Sequence, residues 1–109
     1  MKLLFSFFYI MYCNSQNEEF SVVLVTCEQL DEAKIIAKSL VEEKLAACVS
    51  IFPEVISTYI WNNELHQHSE IQLIIKTRSL LFEKVMIRII QLHSAEVPEI
   101  IELKISNLI

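Results

Sequence analysis

Cys27, His66, His68 and His93 carry the chemistry this sequence can offer, and their spacing suggests two kinds of site. His66 and His68, in the stretch HQH, lie two apart, so a β-strand would present both imidazoles on one face as a bidentate pair for a cation. On a solvated hairpin arm the same pair would have no such task. Cys27 closes a run of β-branched residues, where a thiolate would bind a soft cation; a small buried hydrophobe is the competing reading. His93 opens HSAEVPEI, residues 93–100, at the end of a helical stretch. A neutral ring there can ligate a metal, and a protonated one suits the carbonyl end of the helix dipole. Cys27 and His93 are therefore the candidate metal ligands, for copper or another divalent cation. Glu96 and Glu99 offer hard oxygen donors and fit a charge pair or an interface better than a soft-metal site. Pro98 has no backbone donor and holds Val97 extended, so it positions the start of a strand rather than reacting. A Cys27–His93 nucleophile and base pair would lack a legible orienting residue or oxyanion motif, so no enzyme is expected.

Composition limits the partners. The chain has 109 residues, 53% hydrophobic and 21% charged, with a formal net charge of −5, which reads as one domain with a sizeable core. The acidic balance disfavours nucleic acid and anionic lipid and draws cations instead. Glycine is absent altogether, so phosphate-cradling glycine loops are excluded and every positive-φ turn must use another residue. Three cysteines, Cys13, Cys27 and Cys48, have neither CxxC spacing nor an even count, which points to reduced thiols in a cytosol. Residues 1–16 form an apolar extension or a signal segment, too short to span a bilayer; cytoplasmic residence is expected unless that segment directs export, and no membrane partner unless it is retained.

The elements that must position these residues follow from periodicity. FSVVLVT, residues 20–26, is a short β-branched run suited to a central strand. Ala33, Ile36, Ala37, Leu40 and Val41 then recur at helical spacing, with Asp31 and Glu32 suited to the helix N-terminus. From Ala47 to Thr77 the period drops to two on either side of Asn62–Asn63, a pair able to make a tight turn without glycine. Cys48, inside this run, reads as core. Phe82, Val85, Met86 and Ile89 restore a helix, and Ile101, Leu103 and Ile105 alternate with Glu102 and Lys104 in a last strand. The result is an α+β, ferredoxin-like βαββαβ sandwich in one domain, residues 17–109, with a long central hairpin. A hairpin of that length, ending in Tyr59 and Trp61, is expected to be covered by another subunit.

In the order and spacing of VLVTC (23–27), VEEKLAACVSIFP (41–53), STYIW (57–61), EIQLIIKT (70–77) and EVPEI (96–100), the chain resembles the CutA divalent cation tolerance proteins. The resemblance implies a ferredoxin-like protomer and a homotrimer whose hairpins pair between subunits. It also implies an association with copper and divalent metal tolerance, without an established catalytic activity. Tyr59, Trp61, Glu96, Pro98 and Glu99 are then the expected interface residues. Copper-binding bacterial members resemble one another in a cysteine within the first strand and two adjacent histidines ending the second helix; Val25 and Leu92 stand at two of those places here, and His93 at the third. Asn63 replaces a usual glycine, Ala95 a usual aromatic, and Gln29 a usual capping asparagine. A trimeric small-molecule or protein-binding signalling module is the alternative function.

Overall fold

Val22, Val23, Val25 and Thr26 favour a pleated backbone, and they lie in β1 (Phe20–Cys27), the central strand of the fold. A computed structural model describes residues 19–109; the expected extension or signal segment, 1–16, lies outside the described residues. After β1 come α1 (Leu30–Glu42), β2 (Cys48–Trp61), β3 (Glu64–Arg78), a 3-10 turn (Ser79–Leu81), α2 (Phe82–Leu92) and β4 (Ile100–Ile105). The strands form one antiparallel sheet in the order β2-β3-β1-β4. This is the ferredoxin-like βαββαβ arrangement expected from the periodicity.

Both helices pack on one face of the sheet. Val23 and Val25 of β1 and Leu73 and Ile75 of β3 meet Ala33, Ile36 and Leu40 of α1 and Val85 and Ile89 of α2, all fully or almost fully buried. Full burial of each such aliphatic side chain contributes about 1.5–3 kcal/mol, so this row of contacts supplies most of the driving force. At the other end of β1 the inward face turns polar. Buried Ser21 donates to Glu102 Oε2 at 2.7 Å and lies 2.6 Å from the Ser79 hydroxyl, which must then donate to Ser21. Glu102 therefore faces the helix side of β4, and the apolar residues Ile101 and Leu103 point the other way.

The helix-free face is consequently greasy. Ile101 and Leu103 pair with Leu24 and Val22, and Phe52 on β2 is exposed on the same face. Cys48 lies there too, paired with Lys76 and half-buried, so the expectation that it joins the core is corrected. Alternation along β2 sends Val49, its neighbour, into the core side instead.

Two loops show how the chain manages without glycine. Asn62 and Asn63 have φ of 52° and 63°, giving a two-residue turn between the paired residues Trp61 and Glu64. Lys44 has φ 59° just past α1, where Lys44 N–H donates to Val41 O and Leu45 N–H to Leu40 O. That pair of bonds is a Schellman closure, with Leu45 returning toward Leu40. At the other end of α1, Gln29 makes no side-chain cap, as its place in the sequence suggests.

The hairpin of β2 and β3 projects past the helices, and the molecule measures 48 × 27 × 27 Å. Its radius of gyration, 15.0 Å, exceeds the roughly 13 Å of a compact domain of about 100 residues. Lys44→Gly is expected to raise stability by about 1 kcal/mol, because the left-handed backbone at this position opposes any residue with a Cβ. Urea denaturation of the two proteins measures it; an unchanged or lower midpoint would contradict the account of this turn.

Candidate functional site

Three elements end at the same corner of the sheet, and each leaves a polar side chain there. Inward alternation along β1 runs Ser21, Val23, Val25, Cys27, so the last inward position of the strand carries the thiol, only 2% exposed. The first turn of α1 places Glu32 beside it, with a carboxylate oxygen within 4.8 Å of the thiol sulfur. Directly after α2, His93 leaves helical geometry with φ −79° and ψ 140° and turns its ring toward β1. The ligand atoms of Cys27, Glu32 and His93 all lie within 4.8 Å of one another.

Hydrogen bonds settle the state of the imidazole. His93 Nε2 is 2.7 Å from the Thr26 carbonyl oxygen, which can only accept, and Nδ1 is 3.0 Å from the Ala95 backbone N–H, which can only donate. The proton therefore sits on Nε2. Nδ1 faces Glu32 Oε2 at 3.9 Å, and Ser94 donates to the same carboxylate oxygen at 3.3 Å. The ring, 6% exposed, thus ties the end of α2 to the end of β1. Its interaction is with the strand carbonyl rather than with the helix dipole, which corrects the simpler dipole reading.

Burial, with the negative Glu32 carboxylate next to it, pushes the Cys27 thiol up to about 12. A thiol held protonated is a poor nucleophile, and a cation would have to displace its proton. Sulfur, carboxylate and imidazole together form a mixed donor set suited to copper or zinc. A cavity of about 490 Å³ opens over the cluster, lined by Thr26, Cys27, Glu28, Glu70, His93 and most of the loop that follows, including Pro98 and Glu99. Its walls are acidic through Glu28, Glu70 and Glu99.

The structure thus brings together the two ligands expected from sequence, Cys27 and His93, and adds Glu32, whose position in the first helical turn had suggested only a dipole role. A carboxylate five residues after a strand-end cysteine was the available signal. Pro98 and Glu99 line the cavity, whereas Glu96 is exposed beside it. Tyr59 and Trp61 lie far along the hairpin, exposed, with Trp61 at 65%. Val25 and Leu92 occupy the places of two ligands implied by resemblance: Val25 is core and Leu92 packs against it.

Comparison with known proteins bears on this corner and the surrounding fold. The family model described as CutA1 divalent ion tolerance protein matches residues 21–108. A divalent-cation tolerance protein CutA of Thermus thermophilus is 45% identical over 79% of this chain and 84% of its own length. The chloroplastic CutA protein of Arabidopsis thaliana is 44% identical over 79% of this chain, which spans 47% of that relative. Among solved structures, the T. thermophilus protein superposes with a TM-score of 0.75 at 43% identity, covering 81% of this chain and 85% of its own. CutA1 from Oryza sativa does so with a TM-score of 0.78 at 38% identity, covering 85% of each. By sequence and by structure alike, the chain belongs to the CutA1 divalent ion tolerance protein family.

Proposed function

We propose that this protein is a homotrimeric divalent cation tolerance protein that holds a thiophilic metal ion, copper or zinc, at Cys27, Glu32 and His93. The convergence of the three donor atoms within 4.8 Å of one another, with Cys27 and His93 lining an acidic cavity, carries this reading. The residues fit such an ion: Cys27 Sγ, a Glu32 carboxylate oxygen and a His93 ring nitrogen already lie side by side, and the Ala95 N–H that now bonds Nδ1 belongs to an exposed loop. Binding would release the thiol proton, with the cavity supplying water as a further ligand. The protonated thiol favours binding over catalysis.

Trimer formation is supported by two apolar surfaces that a lone chain leaves in water. One is the helix-free face with Phe52, Ile101 and Leu103; the other is the outer hairpin with Ile56, Ile60 and Leu65, of which Ile60 is 71% exposed. Tyr59, Trp61, Pro98 and Glu99 border these surfaces and are assigned to the interface, with Glu96 at its rim. Among the described residues no helix is long and apolar enough to cross a membrane; cysteines without disulfide spacing support a cytoplasmic protein. A second reading, a trimeric module for a small ligand or partner chain, is favoured by the cavity volume, which lies within the usual range of small-molecule sites, about 300–1,000 Å³.

Titration with Cu(I) is expected to show one ion per chain, with uptake abolished in Cys27→Ser and weakened in Glu32→Gln. Affinity should rise about tenfold per pH unit through the neutral range, since each ion displaces the Cys27 proton. Heat of binding unchanged in Cys27→Ser would remove the site, and absence of any uptake would favour the ligand-binding module. Because the folded thiol is raised from 9.0 to about 12, its contribution to stability is complete below pH 9 and is lost as pH rises toward 12. Urea melts should show wild type losing stability across that window more steeply than Cys27→Ser. Sedimentation of Ile101→Asp/Leu103→Asp should give folded monomers where wild type gives trimers; a trimeric variant would place the interface elsewhere.

A further inference from the structure

Ser94, Ala95, Val97, Pro98 and Glu99 line the cavity over the Cys27 corner, on the loop between α2 and β4. The loop is pinned at its far end, where Ile100 of β4 pairs with Val25. Between Ser94 and Pro98 only two hydrogen bonds hold it among the described residues, and both run to proposed metal ligands. The Ala95 N–H donates to His93 Nδ1 at 3.0 Å, and the Ser94 hydroxyl donates to Glu32 Oε2 at 3.3 Å. Val97 is 87% exposed, so side-chain packing adds little to hold the loop down. Glu70, which also lines the cavity, is fixed otherwise: it stands in the β2–β3 ladder, accepts from the Ser57 hydroxyl at 2.8 Å and lies 3.2 Å from Nε2 of His68. The loop is the part of the cavity with the fewest restraints.

An imidazole nitrogen that carries no proton has a single lone pair. With the His93 proton on Nε2 and donated to Thr26, Nδ1 is the ring atom with a lone pair to offer, and that pair now accepts from the Ala95 N–H. It can serve this donor or a cation, not both. A carboxylate has acceptor sites to spare, so the Ser94 bond to Glu32 can persist beside a cation. Alone, it holds the loop by one exposed hydroxyl.

We infer that, given a metal ion at Cys27, Glu32 and His93, the ion and the seated loop exclude one another at His93 Nδ1, so that residues 94–98 form a switch that responds to occupancy of the site. Binding through Nδ1 releases the Ala95 N–H to water, which reaches this exposed residue at little cost. The freed stretch leads into Pro98 and Glu99, both assigned to the subunit interface, and so carries occupancy of the site to the contact between chains. The coupling is reciprocal: whatever holds the loop seated weakens cation uptake, and cation uptake loosens the loop by the same free energy.

Zn(II) is the probe, because it takes thiolate, carboxylate and imidazole alike. Saturating the unsubstituted full-length chain with Zn(II) is expected to speed hydrogen exchange at the Ala95 amide, while the amides of β1, laddered on both edges, keep their protection. Ala95→Pro, which removes the N–H, should raise Zn(II) affinity about two- to tenfold by calorimetry, the worth of one neutral hydrogen bond. Ala95→Val, which keeps the N–H, should leave affinity unchanged. Zn(II) bound at one ion per chain with Ala95 exchange unaltered overturns the switch and leaves the metal site standing, as does equal affinity in Ala95→Pro and the unsubstituted chain. Absence of Zn(II) uptake, or uptake untouched by Cys27→Ser, removes the site and the switch together.

Discussion

The register of β1 is the constraint on which core and site both depend. This strand is hydrogen-bonded along both edges, to β3 and to β4, and slipping it by one residue would turn Val23 and Val25 out of the core. With those valines locked inward, Cys27 must also point inward, at the last step of the strand. The thiol is therefore buried as a by-product of packing, and its chemistry is set by what the two helices bring to the same corner.

Those helices bring a carboxylate and an imidazole. The Glu32 carboxylate arrives on the first turn of α1, and His93 arrives where α2 unwinds. The bond from His93 Nε2–H to the Thr26 carbonyl ties the end of α2 to the end of β1. One side chain thus serves stability through Nε2 and leaves Nδ1 facing the donor cluster. Raising the Cys27 thiol to about 12 follows from the same burial, with the Glu32 carboxylate beside it, so the corner holds a protonated thiol rather than a free thiolate.

Polarity is distributed unevenly over the two sheet faces. Ser21, Ser79 and Glu102 form a polar cluster on the helix side at one end of β1, which obliges β4 to turn Ile101 and Leu103 toward the uncovered side. Along the hairpin the alternation continues, with Ile56, Ile60 and Leu65 on one face and Tyr59, His66, His68 and Glu70 on the other. The ribbon consequently has one apolar face and one that mixes aromatic and polar groups.

Periodicity alone was enough to determine the element order and the Asn62–Asn63 turn, because each depends on neighbours within a few residues. Cys48 shows where that stops: its run is apolar, but which side of β2 faces the helices depends on pairing with β3, which no local pattern encodes. Glu32 was visible as an acid near a helix start, yet its meeting with Cys27 depends on where α1 docks. The His93 bond to Thr26 joins residues 67 apart, and the Glu70 bonds to His68 and Ser57 require the hairpin register. Tertiary structure decided these, since side-chain direction and long-range pairing are fixed only when the sheet closes and the helices settle on one of its two faces.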